Sequence, residues 1–444
     1  MKKLLLTIAV VVASVSLCAN AQNTNTSSVE KEIKADINRA AGMFYARSTA
    51  KIPKDTPAPK GKKPFYINHY GCPGPFYLDK SEYYTETYAI LAKADTLGKL
   101  TPLGKDVLRR VTMLKEDAYN RDGELTVRGA QQSRTLVKQM IKRFPDMFTP
   151  QGYYSVRRTV DNRSIMTMEE GLLQLSAMQQ PIVARSKASL QERKFMDPID
   201  KQLTNQRLDS LTSISYDRFT VLNSNDARLM QSLFNDQNYV LHNIDAGKLA
   251  KRLFLLAGNV QHSEIADKIT LFDIFTPDEL HLHWRKQNAW HYINYGGCTL
   301  NGGYQAYLQR STLRNMIHMG DSVLKRNNPL MHLRYTTSQV IMSLACLMDI
   351  NGYGLHTANL DSLEDYGWAN YRIAPLGGSI MMVHYRKDRN DTDVLVKVLL
   401  NGEEARLPIQ TDCAPYYHWR DVKRYYLRKL YRYENRRANI KNSK

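Results

Sequence analysis

The stretch "KPFYINHYGCPGPF", Lys63 to Phe76, does most to limit what this chain can become. A short apolar run, Phe65, Tyr66 and Ile67, has the character of a buried strand, and it feeds a turn with two prolines, Cys72-Pro73-Gly74-Pro75-Phe76. Each proline fixes φ near about −65° and lacks an N–H, so the turn offers two fewer backbone donors to anything it faces.

The rest of the chain reads as an α/β organisation split by a helical middle. Ser27-Ser28-Val29-Glu30 fits a capping box that opens a helix to about Ala46, and the Pro- and Lys-rich stretch from Lys51 to Pro64 reads as a linker or surface loop. Leu103, Val107, Val111 and Leu114 recur at helical spacing, as do Leu136, Val137, Met140, Ile141 and Phe144. The polar region from about Met168 to Lys325 reads as mostly helical. "RYTTSQVIMSLACLMDINGYG" gives a turn, an apolar helix and a Gly-punctuated exit, and Ile380–Tyr385 with Val394–Leu400 makes a β-hairpin. With 444 residues and 43% hydrophobic content, the chain can bury a sizeable core in two subdomains.

Lys2 and Lys3 precede an apolar run from Leu4 to Val12, and Ala19-Asn20-Ala21 offers a signal-peptidase site, so residues 1–21 read as an export signal and Gln22 as the mature N-terminus. Lipidation at Cys18 is disfavoured because Leu17 is bulky where such sites want a small residue. No other stretch is long and apolar enough to span a bilayer, which places the mature chain in the periplasm or outside the cell. The spacing of the remaining cysteines, Cys72, Cys298, Cys346 and Cys413, matches no metal motif, and at most one disulfide is expected. The formal net charge of +19 becomes +17 once Lys2 and Lys3 leave. Nine Lys or Arg residues against Glu434 alone lie between Lys423 and Lys444, interleaved with tyrosines; this reads as a solvated helical tail, and no nucleic-acid motif accompanies it.

"MFYARS", "HYG" before the turn, "GELTVRGAQQ", "RRTVDNRSIMTM", "MDINGYG" and "VLVKVLLNGEEARLP" occur in an order and spacing that resemble the histidine acid phosphatase branch holding phytases and multiple inositol polyphosphate phosphatases. The resemblance implies an α/β core with a mixed central sheet and flanking helices, from residues 60–165 and 326–444, with a mostly helical cap from 166–325. Residues 22–59 would be an N-terminal helix and linker. The cleft would lie between core and cap, at the C-terminal ends of the strands.

In that family the strand ends in Arg-His-Gly-x-Arg, where the His attacks a phosphomonoester and the arginines hold the phosphate. Here Cys72 stands for the first Arg, Pro73 for the nucleophile and Phe76 for the second Arg; Gly74 survives. The family's second element, a phosphate-binding His followed by an acid that protonates the leaving oxygen, falls on Thr337-Ser338, and neither hydroxyl can act as that acid near neutral pH. His69 lies four residues before Pro73, about 13 Å along an extended strand, and reads as a packing or hydrogen-bonding residue. Cys72 as a thiolate nucleophile lacks the donor cradle that such a loop needs. Arg163 matches the family's third active-site arginine and is the expected phosphate ligand, with Arg157 as a second candidate. No cofactor and no metal is implied.

These replacements point to a pseudophosphatase that retains weak affinity for a phosphorylated or other anionic small molecule. Two alternatives stand beside it. One is an active phosphomonoester hydrolase that recruits Asp161, His69 or Tyr70 around Arg163; the other is a partner-binding structural protein with an empty cleft.

Overall fold

The computed structural model describes residues 28–149, 152–159, 161–178, 183–188, 190–207 and 209–442. The expected signal peptide over 1–21, Cys18 and the Ser27 cap lie outside them.

A mixed sheet organises the molecule. Its strands are β1 (Lys63–Gly71), β2 (Tyr153–Arg158), β3 (Val183–Ala188), β4 (Leu330–Tyr335), β5 (Ser379–Arg386), β6 (Leu395–Leu400), β7 (Glu403–Glu404) and β8 (Tyr416–His418). They run in the order β3-β2-β4-β1-β5-β6-β7, with β8 also beside β6. β1 is parallel to β4, β4 to β2 and β2 to β3, whereas β5 and β6 are antiparallel additions on the other side. The expected hairpin is therefore present, with Ile380 opposite Leu400.

A central strand is covered on both faces, which is why β1 is buried from Phe65 to Gly71 without alternation. On one face Ile67 packs with Val137, Met140 and Ile141 of the helix Val127–Arg143 and with Met168 and Leu175 of the helix Asn162–Met178. On the other, Tyr66 and Tyr70 belong to a core with Leu313 and Ile317, with Ile341 and Leu344 of the helix Ser338–Met348, and with Val422, Tyr426 and Leu430 of the helix Trp419–Asn442. Among the described residues no helix is long and apolar enough to cross a membrane.

Several expectations need correcting. The N-terminal helix stops at Ala35, because Asp36 is extended and its carboxylate accepts the Asn38 N–H, which starts a separate 3-10 turn, Ile37–Phe44. The segment after Lys51 is fastened to the sheet: the nearly inaccessible Lys397 donates to Asp55 and Glu404, both at 2.9 Å, and Arg143 pairs with Asp55 at 2.9 Å.

The 166–325 stretch contains β3, a full member of the sheet whose polar sequence "VARSKA" hides it. Conversely, the helices Glu82–Thr96 and Pro102–Asp117 bury Leu91, Val107, Val111 and Leu114 with Leu229, Leu249, Leu253 and Trp284, so part of 60–165 packs with the helical middle. The basic C-terminal segment is a helix but no solvated tail. Val422, Tyr426, Leu430 and Tyr433 form a buried stripe, and Lys423 and Arg437 pair with Asp321 and Asp200. All four described cysteines are free.

Candidate functional site

The turn after β1 is buried throughout, from Cys72 to Leu78. Its neighbours are the very segments singled out in the sequence. Thr336 N–H donates to Gly71 O at 2.8 Å and Ser164 Oγ donates to Thr336 O at 3.2 Å, so the strand end, the Arg163 segment and the Thr337-Ser338 pair meet at one place. Gly74 N–H donates to Thr167 Oγ1 at 3.3 Å, and Gly377 N–H to Pro73 O at 2.7 Å.

The retained Gly74 has a packing reason. A Cβ there would sit 2.8 Å from Gly129 O, and one on Gly129 would sit 2.1 Å from Pro75 O, so the turn rests directly on the first turn of the helix Val127–Arg143. Thr126 caps that helix through Gly129 N–H at 3.2 Å, while its own N–H donates to Pro75 O at 3.0 Å. "GELTVRGAQQ" is the sequence of this seat. From the helical middle, Asn259 Nδ2 donates to Phe76 O at 3.0 Å and holds the turn's exit.

The side chains at these positions are packed locally. Cys72 is 3% exposed and its thiol donates to Pro375 O at 3.0 Å; burial pushes its pKa up to about 11, with the Ser338 hydroxyl in hydrogen-bonding reach. A thiol held protonated in this way is no nucleophile. Thr337 is the N-cap of the helix Ser338–Met348, with no bond from its side chain to the helix. Ser338 is buried.

Arg163 and Phe76 come together in a way the sequence did not announce. The guanidinium lies 4.4 Å from the centroid of the Phe76 ring, and its Nε is 3.1 Å from Asp161 Oδ1, with Asp79 at 3.9 Å. Phe76 thus serves as a surface on which the Arg163 guanidinium stacks. Asp161 is engaged through both oxygens, since Oδ2 accepts the Ser164 N–H at 3.2 Å and lies 3.0 Å from the Ser164 hydroxyl, whose single proton it shares with Thr336 O.

Arg157 is not part of this group. It sits on β2 opposite Arg334 of β4 and pairs with the buried Glu192 at 2.6 Å. Arg334, which the sequence placed at the start of a turn and not among the site residues, is the next-to-last residue of β4; it is 3% exposed, stacks over Tyr70 at 5.6 Å and leaves Nε and Nη1 without hydrogen-bond partners. Tyr70 itself donates to Phe195 O at 3.1 Å.

His69 faces the other side of the sheet. With Arg47, Cys72, Val137, Tyr335 and Ser379 it lines a cavity of about 60 Å³, room for roughly two waters. Burial drives the His69 pKa down to about 4, so the imidazole is neutral, and its Nδ1 has no partner. Arg47, also unseen as a site residue, is pushed down to about 10 by burial and by the neighbouring Arg143.

Comparison with protein-family models and with curated proteins found no match. Among solved structures, the chain is similar to the multiple inositol polyphosphate phosphatase of Bifidobacterium longum in complex with inositol hexasulfate, with a TM-score of 0.72 at 13% identity, covering 87% of this chain and 97% of that one. The same enzyme in complex with phosphate gives 0.72 at 14% identity over 87% and 97%. The phytase of D. castellii gives 0.65 at 12% identity, over 89% of this chain and 85% of that one. In fold, the chain is an α/β protein of the histidine-phosphatase type, similar to inositol polyphosphate phosphatases and phytases.

Proposed function

We propose that this is an exported pseudophosphatase: a histidine-phosphatase fold without phosphohistidine chemistry, whose cleft keeps weak affinity for phosphorylated or other anionic small molecules through Arg163. The observation that carries the reading is the turn itself. Pro73 has no nucleophilic atom, the turn is buried, and Arg163 stacks on Phe76 where two cations would otherwise flank a phosphate.

Of the candidates for a substitute constellation, two are held by other partners and the third is a neutral imidazole. Asp161 is held by Arg163 and Ser164, Tyr70 by Phe195 O, and the neutral His69 lines a cavity on the opposite face of the sheet from Tyr70. One observation favours the partner-binding alternative: the helix Ser210–Leu222 exposes Leu211, Ile214, Val221 and Leu222 to solvent.

The test is turnover of a generic phosphomonoester and of inositol hexakisphosphate, together with thermal stabilisation by the latter. Stabilisation without turnover is expected. Turnover, or a phosphohistidine trapped at the turn, overturns the proposal, and absence of both turnover and stabilisation favours the partner-binding reading. A six-site variant with Arg, His, Ser and Arg at 72, 73, 75 and 76 and His and Asp at 337 and 338 is expected to gain a small rate, whereas either half alone stays at background because such groups act as one unit.

A further inference from the structure

The loop before β8 brings three donor side chains together. The ligating atoms of Asp412, Cys413 and His418 all lie within 4.8 Å of one another, with His418 Nε2 2.9 Å from Asp412 Oδ1. Cysteine spacing carried no metal signal, since one thiol with a histidine five residues on belongs to no motif; the fold makes the group. His418 is fixed by the sheet, opposite Leu395 of β6, and the next residue, Trp419, donates its N–H to Val394 O at 2.9 Å. The Cys413 loop is closed by Tyr416 N–H to Cys413 O at 2.9 Å and by Thr411 Oγ1 to Tyr416 O at 2.8 Å.

A second observation comes from a different loop. His418 Nδ1 lies 2.5 Å from Asp393 Oδ1, and Asp393 is itself held through Oδ2 by Lys62 Nζ at 3.3 Å. An imidazole with one nitrogen on a carboxylate and the other aimed at thiol and carboxylate donors has the outer-shell arrangement that orients metal-bound histidines.

We propose that Asp412, Cys413 and His418 form a binding site for a zinc-class divalent cation, oriented by Asp393. A sulfur, a nitrogen and an oxygen donor suit a borderline-soft ion and disfavour magnesium or calcium, which want oxygen alone. Donors roughly 2.0–2.3 Å from a common centre are about 3.5 Å apart in a tetrahedron, so atoms that already lie within 4.8 Å of one another need move only slightly, with the fourth position left to water. Asp412 is 81% exposed and free to turn from His418 toward the ion. Binding releases two protons, the Cys413 thiol proton and the His418 Nε2 proton now shared with Asp412, while the Nδ1 proton stays hydrogen-bonded to Asp393 and the freed Nε2 lone pair goes to the cation.

The site's place is independent of the motif turn. Leu395 pairs with Tyr385 and Tyr385 with Pro64, so the site lies toward the start of β1 while the turn lies beyond its end at Gly71. A cation there would clip the loop to the sheet.

The full protein, reduced with a non-chelating phosphine, is titrated with cobalt(II) and then zinc(II). One equivalent of cobalt is expected to give a thiolate charge-transfer band and tetrahedral ligand-field bands, displaced by zinc and absent with magnesium. Cys413→Ser abolishes the charge-transfer band, His418→Ala removes stoichiometric binding, and Asp393→Asn weakens it about 10- to 100-fold while the band persists. Zinc also protects Cys413 from alkylation in the unsubstituted protein, a readout that needs no variant to fold. No binding at one equivalent, an unchanged band in Cys413→Ser, or alkylation of Cys413 indifferent to zinc each overturns the site.

Discussion

Phe76→Arg tests whether the turn and Arg163 still form the two sides of an anion seat. The Arg163 guanidinium lies 4.4 Å from the Phe76 ring centroid, so a second guanidinium near the ring's position meets it at close to 4 Å. Two like charges at that distance repel by about 1 kcal/mol in water and about 4 kcal/mol at the effective dielectric of a protein surface. Loss of the stacking contributes roughly 0.5–1 kcal/mol more. Asp161 and Asp79 stay beside Arg163 and absorb part of the repulsion, so the free variant is expected to lose about 2–3 kcal/mol.

A phosphate dianion between the two guanidinium groups reverses the sign, because charge-assisted bonds replace the repulsion. At about 100 times its dissociation constant a ligand stabilises the state it binds by about 2.7 kcal/mol. The assay is thermal denaturation of parent and variant with and without phosphate, at constant ionic strength so that screening is not mistaken for binding. The variant is expected to be less stable alone and to gain more from phosphate than the parent, and a further Arg163→Ala change is expected to remove the gain. If phosphate shifts both proteins equally, Phe76 does not stand where a second phosphate ligand would, and the register of the turn is wrong.

His384 is wholly buried, neither ring nitrogen has a hydrogen-bond partner, and burial holds its pKa down at about 3. The unfolded chain takes up a proton near pH 6.5 that the folded chain refuses, so this residue's contribution falls as pH drops below about 6.5; His384→Leu is expected to raise the melting temperature, with the advantage growing by about 1.3 kcal/mol between pH 7 and 5.5. Equal melting profiles for the two proteins across that range contradict it. Lys397→Met leaves Asp55 and Glu404 without their shared buried cation and is expected to cost about 3–5 kcal/mol in denaturant unfolding, with early proteolysis of the segment after Lys51 as the sign that it has come off the sheet.

The elements that could be read from the sequence are those whose own residues carry the pattern. Phe65-Tyr66-Ile67, the 380–400 hairpin and the stripes at 103–114 and 136–144 each declare a period or an apolar run within a few residues. β3 does not, because "VARSKA" has no apolar alternation and is a strand only because β2 offers its edge. The C-terminal helix misled for the opposite reason. Its charge is conspicuous, while Val422, Tyr426, Leu430 and Tyr433 are spread thinly among nine basic residues. At the site, Cys72 to Phe76, Arg163 and Thr337-Ser338 were legible as contiguous motifs. The stacking of Arg163 on Phe76, the burial of Arg334 and the turning away of Arg157 toward Glu192 were not, since each depends on side chains from segments far apart in the chain.

The groups around the turn are packed as a set. An arginine at 72 would push a guanidinium into the place of a thiol that is 3% exposed and bonded to Pro375 O, with the buried Ser338 beside it. Phe76 gives Arg163 an aromatic face, and Asp161 and Asp79 place two negative charges beside its one positive charge, an arrangement that already answers the guanidinium and weakens its demand for a further anion. A phosphoryl-transfer site keeps charged groups poised toward a vacant position; Arg163 lies instead against Phe76 and Asp161, and the Cys72 thiol against Pro375 O. Among the buried polar atoms without a partner, Arg334 Nε and Nη1 lie on one face of the sheet below the turn and His69 Nδ1 on the other. On the proposed reading, restoring a family residue at only one of these positions leaves its neighbours' pairings unmatched, which is why the six-site variant, and neither half alone, is expected to gain turnover.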